Sequence, residues 1–297
     1  CSAELADLPR APYAAFGALR RRTIEIGGAK VELGIAGGQA SVGDEGLERW
    51  VAEAARDVES YLGRFPVAQA TVFVLVGEEA GIGHATALGN GGASILARVG
   101  AQTRAEDLAQ DWVMTHEMVH LALVGMHRDH DWMAEGLATY VEPLARARRG
   151  RLSPEIVWRD FYFGMSKGQP EPGDGGLDGT RSWGRTYWGG AQFWLLADLA
   201  IREQTGGRRA LADCLHGAVD SGGPIARRWS AAHFLERCDA ALGAEIVNPI
   251  SQEHADEAVT VDLHALYRGL GVRVNRFGAS FDDAAPRAAV RAALTAQ

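Results

Sequence analysis

Polar and apolar positions change their period part-way along the chain. In RRRTIEIGGAKVELGIAGG (20–38) two alternating runs, Thr23–Ile26 and Val31–Ile35, flank Gly27-Gly28, a pattern that predicts a β-hairpin. GDEGLERWVAEAARDVESYLGRF (43–65) opens on acidic residues and repeats apolar ones at Leu47, Trp50, Val51, Ala54, Val58, Tyr61 and Leu62, which is helical spacing that Pro66 ends. ATVFVLVG (70–77) is a β-branched and aromatic run suited to a buried strand. A glycine-rich loop then leads to a strand over Ser94–Val99. From Ala105 the spacing turns helical, predicting helices over roughly 105–124, 131–147, 153–164, 186–205, 208–219, 225–241 and 283–295. Between them the Gly- and Pro-rich stretch 164–184 must be a long loop. The outline is α+β, a β-containing N-terminal part followed by a mainly helical C-terminal part. It divides into a stalk or anchor segment (1–19), a β-containing half (20–148) and a helical half (149–297).

Composition narrows the function classes. With 297 residues, 47% apolar and 23% charged, the chain can bury a full core and is not a disordered tract. Its net charge of -8 and short basic runs (20–22 and 146–150) argue against nucleic acid as a partner. No run approaches the roughly 18–20 apolar residues that span a bilayer. Position 1 is Cys1, which fits a bacterial lipoprotein whose leader is cleaved before a lipid-bearing cysteine; the plain alternative is an arbitrary start. On the first reading the protein is expected in the bacterial cell envelope as a periplasmic lipoprotein, touching membrane only through that lipid. Cys214 and Cys238 can pair in an oxidising periplasm or remain buried thiols, and spacing leaves both open.

The candidate chemistry lies in DWVMTHEMVHLAL (111–123). On a helix His116 and His120 lie one turn apart on one face and can present two imidazole nitrogens to one ion, with Glu117 offset to reach a water. Zn²⁺ is the cofactor such a set implies. A catalytic zinc takes a third protein ligand, and Glu135 in DWMAEGLATYVEP is placed to supply it once the chain turns through MHRDHD. His127 and His130 in that turn read better as solvated loop residues than as ligands. Asp111 and Thr139 are candidates for fixing the ligands' orientation.

These residues carry a resemblance. HEMVH followed by WMAEGLATYVE resembles the gluzincin peptidases, whose third ligand lies in a W-x-x-E-G-x-A-x-Y pattern shared by aminopeptidase N-like and glycyl aminopeptidase-like enzymes. TYWGGAQFWLLADLAIREQTGGRRALADCL (186–215) is similar to the glycyl aminopeptidase-like segment with a tyrosine before a glycine-alanine pair and a helix ending D-L-x-I-R-E-x-T-G-G. The likeness covers roughly residues 110–215, with a weaker echo in FDDAAPRAAVRAAL. It implies a zincin-like, thermolysin-like fold and a peptide or protein substrate. It also implies His116, His120 and Glu135 as metal ligands, Glu117 as general base and Tyr187 as donor to the oxyanion.

The chain departs from that pattern upstream. Where these families carry an acid that grips a substrate's free amino group, this sequence reads GIGHAT, with Gly83 in the acid's place and His84 retained. Aminopeptidase and endopeptidase action both stay open. Gly83, His84, Glu79 (with its neighbour Glu78) and Asn90 are the residues expected to border substrate. GNGGASILARV (89–99) can be an edge strand that pairs with an extended peptide, or an ordinary buried strand. Trp183 and Trp188 can line a subsite or pack the helical half. The competing function is a non-catalytic envelope lipoprotein that binds peptides or partners on a peptidase fold.

Overall fold

The structure, a computed structural model, describes residues 11–89 and 92–296. Cys1 and Asn90 therefore lie outside the described residues. The chain forms two compact units, one from the chain up to Gly125 with Ala218–Trp229, the other from Met126–Gly217 with the chain from Ser230 onward. No helix among the described residues is long and apolar enough to cross a membrane.

The first unit is built on a five-stranded mixed sheet. Strands β1 (Arg20–Ile26) and β2 (Ala29–Gly37) form the expected antiparallel hairpin. Its two-residue turn places Gly27 and Gly28 at φ 51° and 85°, a backbone that only glycine adopts freely. Helix α1 (Gly43–Leu62) crosses to β3 (Gln69–Gly77), which pairs parallel to β2, and its N-terminal turn carries Asp44 and Glu45. The helix ends at Gly63, whose φ of 77° lets its amide reach back to Glu59 O. β4 (Ile82–Leu88) and β5 (Ser94–Gly100) complete the sheet in the order β1-β2-β3-β5-β4. Val31, Leu33, Ile35, Val72, Val74, Ile95 and Ala97 form its fully buried core.

One open alternative is decided here and one expectation changes. The stretch Ser94–Val99 is not an edge: β5 pairs parallel with β3 on one side and antiparallel with β4 on the other. The edge strand beside it is β4, drawn from the segment that reads as a glycine-rich loop. Its small residues, Gly83, Ala85 and Ala87, carry little β propensity, so the pairing with β5 determines its conformation.

The second unit is mainly helical. It contains α4 (Asp131–Arg148), α5 (Pro154–Lys167), α6 (Gly190–Gln204), most of α7 (Leu211–Asp220), α8 (Ala231–Leu242), α9 (Val247–Asp256), α10 (Leu263–Gly269) and α11 (Ala288–Thr295). A short hairpin of β6 (Val272–Asn275) and β7 (Gly278–Phe281) follows α10. Aromatic pairs fill its core, with Trp132 edge-on to Phe193 at 5.0 Å and Tyr140 stacked on Phe161 at 5.7 Å. Buried Asp198 accepts from Tyr140 Oη (3.0 Å), Arg202 Nε (2.9 Å) and the Leu211 amide (3.1 Å), joining α4, α6 and the start of α7. Cys214 and Cys238 are joined as a disulfide between α7 and α8, their Cα atoms 4.2 Å apart.

Candidate metal centre

The stretch that reads as one helix over 105–124 is broken into α2 (Ala105–Gln110), α3 (Val113–Val119) and a tightened last turn, His120–Ala122. Asp111 causes the break. Its buried carboxylate accepts the amides of Val113 (3.0 Å) and Met114 (3.0 Å) and the indole N–H of Trp50 on α1 (2.9 Å). A side chain thus satisfies the first amides of α3 where another helical turn otherwise would. Thr115 Oγ1 donates to the fully buried Asp57 on α1 at 3.1 Å. Seven residues make too short a helix to persist alone. Two buried carboxylates fix this one against α1.

That helix carries His116, which is buried, and leads into His120, which is half-buried; their rings lie 5.0 Å apart with planes at 82°. Trp112, half exposed, stands edge-on to His116 at 5.4 Å. Glu117 is buried, and its Oε2 accepts the Ala87 amide of β4 at 2.7 Å. Since among the described residues β4 pairs only with β5, this amide comes from the strand's outer edge.

Glu135 sits in the first turns of α4, and glycine determines how that helix packs. A Cβ on Gly136 would stand 2.3 Å from the Gly190 carbonyl carbon, and one on Gly190 would stand 2.1 Å from Trp132 O. The glycines of WMAEG and YWGGA therefore let α4 and α6 approach backbone to backbone. Glu135 neighbours the first of these glycines, and Tyr187 precedes the second by three residues. Tyr187 belongs to a π-helical turn, Gly184–Gly189, that runs into α6; such turns recur at functional sites. Its ring stacks on exposed Trp183 (5.9 Å, 25°), with Lys167 Nζ 5.7 Å over the indole. Trp188 is a packing residue: its ring lies against Gly164 of α5, where a Cβ would come within 2.2 Å.

The long loop before this turn is tied down. Arg185, buried, donates to Gly168 O (2.7 Å) and Gly175 O (3.3 Å), and the Leu177 amide donates to His254 O (2.8 Å). Burial lowers the pKa of Arg185, with nearby Asp174 opposing the shift. The loop's Asp178 accepts Trp132 Nε1 (2.7 Å) and His130 Nδ1 (2.8 Å), anchoring the start of α4 one turn before Glu135. Sequence reasoning missed Asp57 and Asp178, because a lone acid in a helix or a Gly-rich loop gives no signal of its partner.

His116, His120 and Glu135 each offer one ligand atom, and the three atoms lie within 4.8 Å of one another. Two imidazole nitrogens and one carboxylate oxygen are the donor set of catalytic zinc sites that keep a position open, so these residues fit Zn²⁺. His127 and His130 stand outside the group, beside Asp129 (3.0 Å) and Asp178 (2.8 Å) respectively. Of the residues expected to border substrate, His84 is exposed on β4, with Nε2 2.8 Å from Thr86 Oγ1. Gly83 lies at the register shift between Ile82 and Ala85, where a Cβ would come 3.3 Å from Arg98 Cβ. Glu78 and Glu79 are exposed in the turn before β4, at the end opposite Ala87.

The chain resembles solved structures throughout most of its length. An aminopeptidase N family protein from Idiomarina loihiensis matches 87% of this chain and 50% of its own, with a TM-score of 0.66 at 13% identity. The M1 zinc metallopeptidase of Deinococcus radiodurans matches 83% of this chain and 54% of its own, with a TM-score of 0.52 at 22% identity. A mutant of that protein bound to a Tyr-Ser-Ala substrate matches equally far, with a TM-score of 0.52 at 23% identity. The fold is that of aminopeptidase N-type zinc metallopeptidases. The chain spans about half the length of these metallopeptidases. No protein-family profile matches the sequence, and no curated protein matches it significantly.

Proposed function

We propose that the protein is a zinc-dependent peptidase, with His116, His120 and Glu135 as the metal ligands. The observation that carries this reading is the gathering of those three donor atoms within 4.8 Å, with Glu117 following His116 directly on the same helix. Bound there, Zn²⁺ would supply a Lewis acid for the scissile carbonyl and for water. Glu117 takes the proton of the attacking water and delivers it to the leaving amine, its carboxylate steadied by the Ala87 amide. Tyr187 donates from its phenol to the oxyanion that develops on the carbonyl, its ring held by Trp183. The substrate class is an extended peptide. β4 supports this choice, because it lies at an edge of the sheet, where strand addition takes place. Within that fold we read the arrangement as thermolysin-like. The Cys214–Cys238 disulfide suits an oxidising compartment, in keeping with the cell envelope as the site of action.

Metal analysis with one substitution tests this reading. Purified protein is expected to bind close to one zinc per chain, and Glu117→Gln to keep it while hydrolysis of a peptide library falls by about 10²–10⁴. Zinc far below stoichiometry after metal addition would sink the metal assignment; wild-type turnover in Glu117→Gln would sink the general base. Free and N-acetylated peptides cleaved alike would exclude an obligate aminopeptidase.

A further inference from the structure

A cavity of about 330 Å³ opens in the helical unit between α5, α10 and β6. Its size falls at the small end of the roughly 300–1,000 Å³ typical of ligand pockets. One wall is aromatic and apolar: Tyr162 and Tyr267 stand 5.2 Å apart beside Val272. The Tyr267 hydroxyl is buried and committed to Met165 Sδ at 3.3 Å. The other wall is polar. His264 and Arg268 sit one turn apart on α10, so both project from one helix face into the cavity. The single carboxylate lining it, Asp282, already pairs with Arg273 at 2.9 Å. Among the described residues the Tyr162 hydroxyl, the His264 ring nitrogens and the Arg268 guanidinium have no hydrogen-bond partner. Arg268 and Arg273 against Asp282 leave the lining net positive in a chain of net charge -8.

We propose that this cavity binds a small organic anion, its carboxylate or phosphate group accepting from Arg268, His264 and Tyr162 and its apolar body lying on Tyr267 and Val272. Guanidinium, imidazole and phenol are all donors, so an anion satisfies them together, and the guanidinium fork suits an oxyanion with two acceptor oxygens. Asp282 does not oppose the ligand because Arg273 neutralises it.

Arginine modification by phenylglyoxal, read on the Arg268 peptide by mass spectrometry in the intact protein, tests the site. N-acetylphenylalanine at millimolar concentration is expected to slow modification of Arg268 at least fivefold, whereas its carboxamide, lacking the charge, does not. Inorganic phosphate, lacking the apolar body, is expected to protect several-fold less. His264→Gln, on an exposed position that leaves Arg268 to be read, is expected to cut the protection at least twofold. No protection, equal protection by acid and amide, equal protection by phosphate, or full protection in His264→Gln would each overturn the assignment.

Discussion

The two helices that carry the candidate ligands are held by opposite means. α3, with His116 and His120 at its end, is short and hangs on buried hydrogen bonds: Asp111 takes Trp50 and two helix amides, and Asp57 takes Thr115. α4, with Glu135, is 18 residues long and is set by backbone contact at Gly136 and Gly190. Polar anchoring fixes direction but fails at once when an acceptor is lost, since the buried donors are left unsatisfied. Backbone packing tolerates polar change but no added volume. Each helix should therefore fail under a different kind of substitution.

The largest effect is expected at the glycine contact. Alanine has the higher helix propensity by about 1 kcal/mol, so Gly136→Ala would stabilise α4 if nothing lay against it. The Cβ would instead meet the Gly190 carbonyl carbon at 2.3 Å, and backbone cannot rotate away. A net loss of about 3 kcal/mol is expected from denaturant unfolding, with zinc affinity reduced alongside. A neutral or stabilising Gly136→Ala would break the comparison on the α4 side.

Asp111→Ala should cost somewhat less, about 2 kcal/mol, by leaving the Trp50 indole and two amides without their acceptor. Asp111→Asn retains one carbonyl oxygen and is expected to recover part of the loss. If zinc affinity, measured by competition with a chelator, did not follow stability through this pair, α3 would not depend on Asp111 for its alignment.

The same contrast explains what the sequence makes legible. His116, Glu117 and His120 are readable because their spacing is local to one helical turn, and Gly27-Gly28 because a tight hairpin turn demands glycine. Asp111 is visible only as a candidate for orienting the ligands, since its three donors come partly from Trp50, 61 positions away. The apolar period runs through residue 111 without interruption, so it hides the break between α2 and α3. β4 is hidden because IGHATAL is mostly small residues, with glycine and alanine at 83, 85 and 87, and takes its form from β5. α9 carries Pro249 in its first turn, and β6 and β7 have four residues each, too few for a period to register. The π turn at Tyr187 leaves no trace beyond its glycines, because an inserted backbone residue has no composition of its own.

The smallest expected effect separates the two regions by pH. His254, 5% exposed, has its pKa lowered by burial; the Ile250 carbonyl and Glu253 oppose the shift, and Arg185 adds to it. The folded protein therefore keeps this histidine neutral to lower pH than the unfolded chain, which titrates it near its ordinary value of about 6.5. Above that pH its contribution is complete. As pH falls below it, the unfolded state gains a proton that the folded state does not, and stability falls with a limiting slope of about 1.4 kcal/mol per pH unit until the folded pKa is reached. His254→Leu should remove this part of the acid destabilisation below about pH 6.5. Because His254 O receives the Leu177 amide of the loop that carries Asp178, amide exchange in the first turn of α4 should rise with acid before that in α3. Equal rises in both helices, or an unchanged pH dependence in His254→Leu, would show that the acid response does not belong to the helical unit's loop.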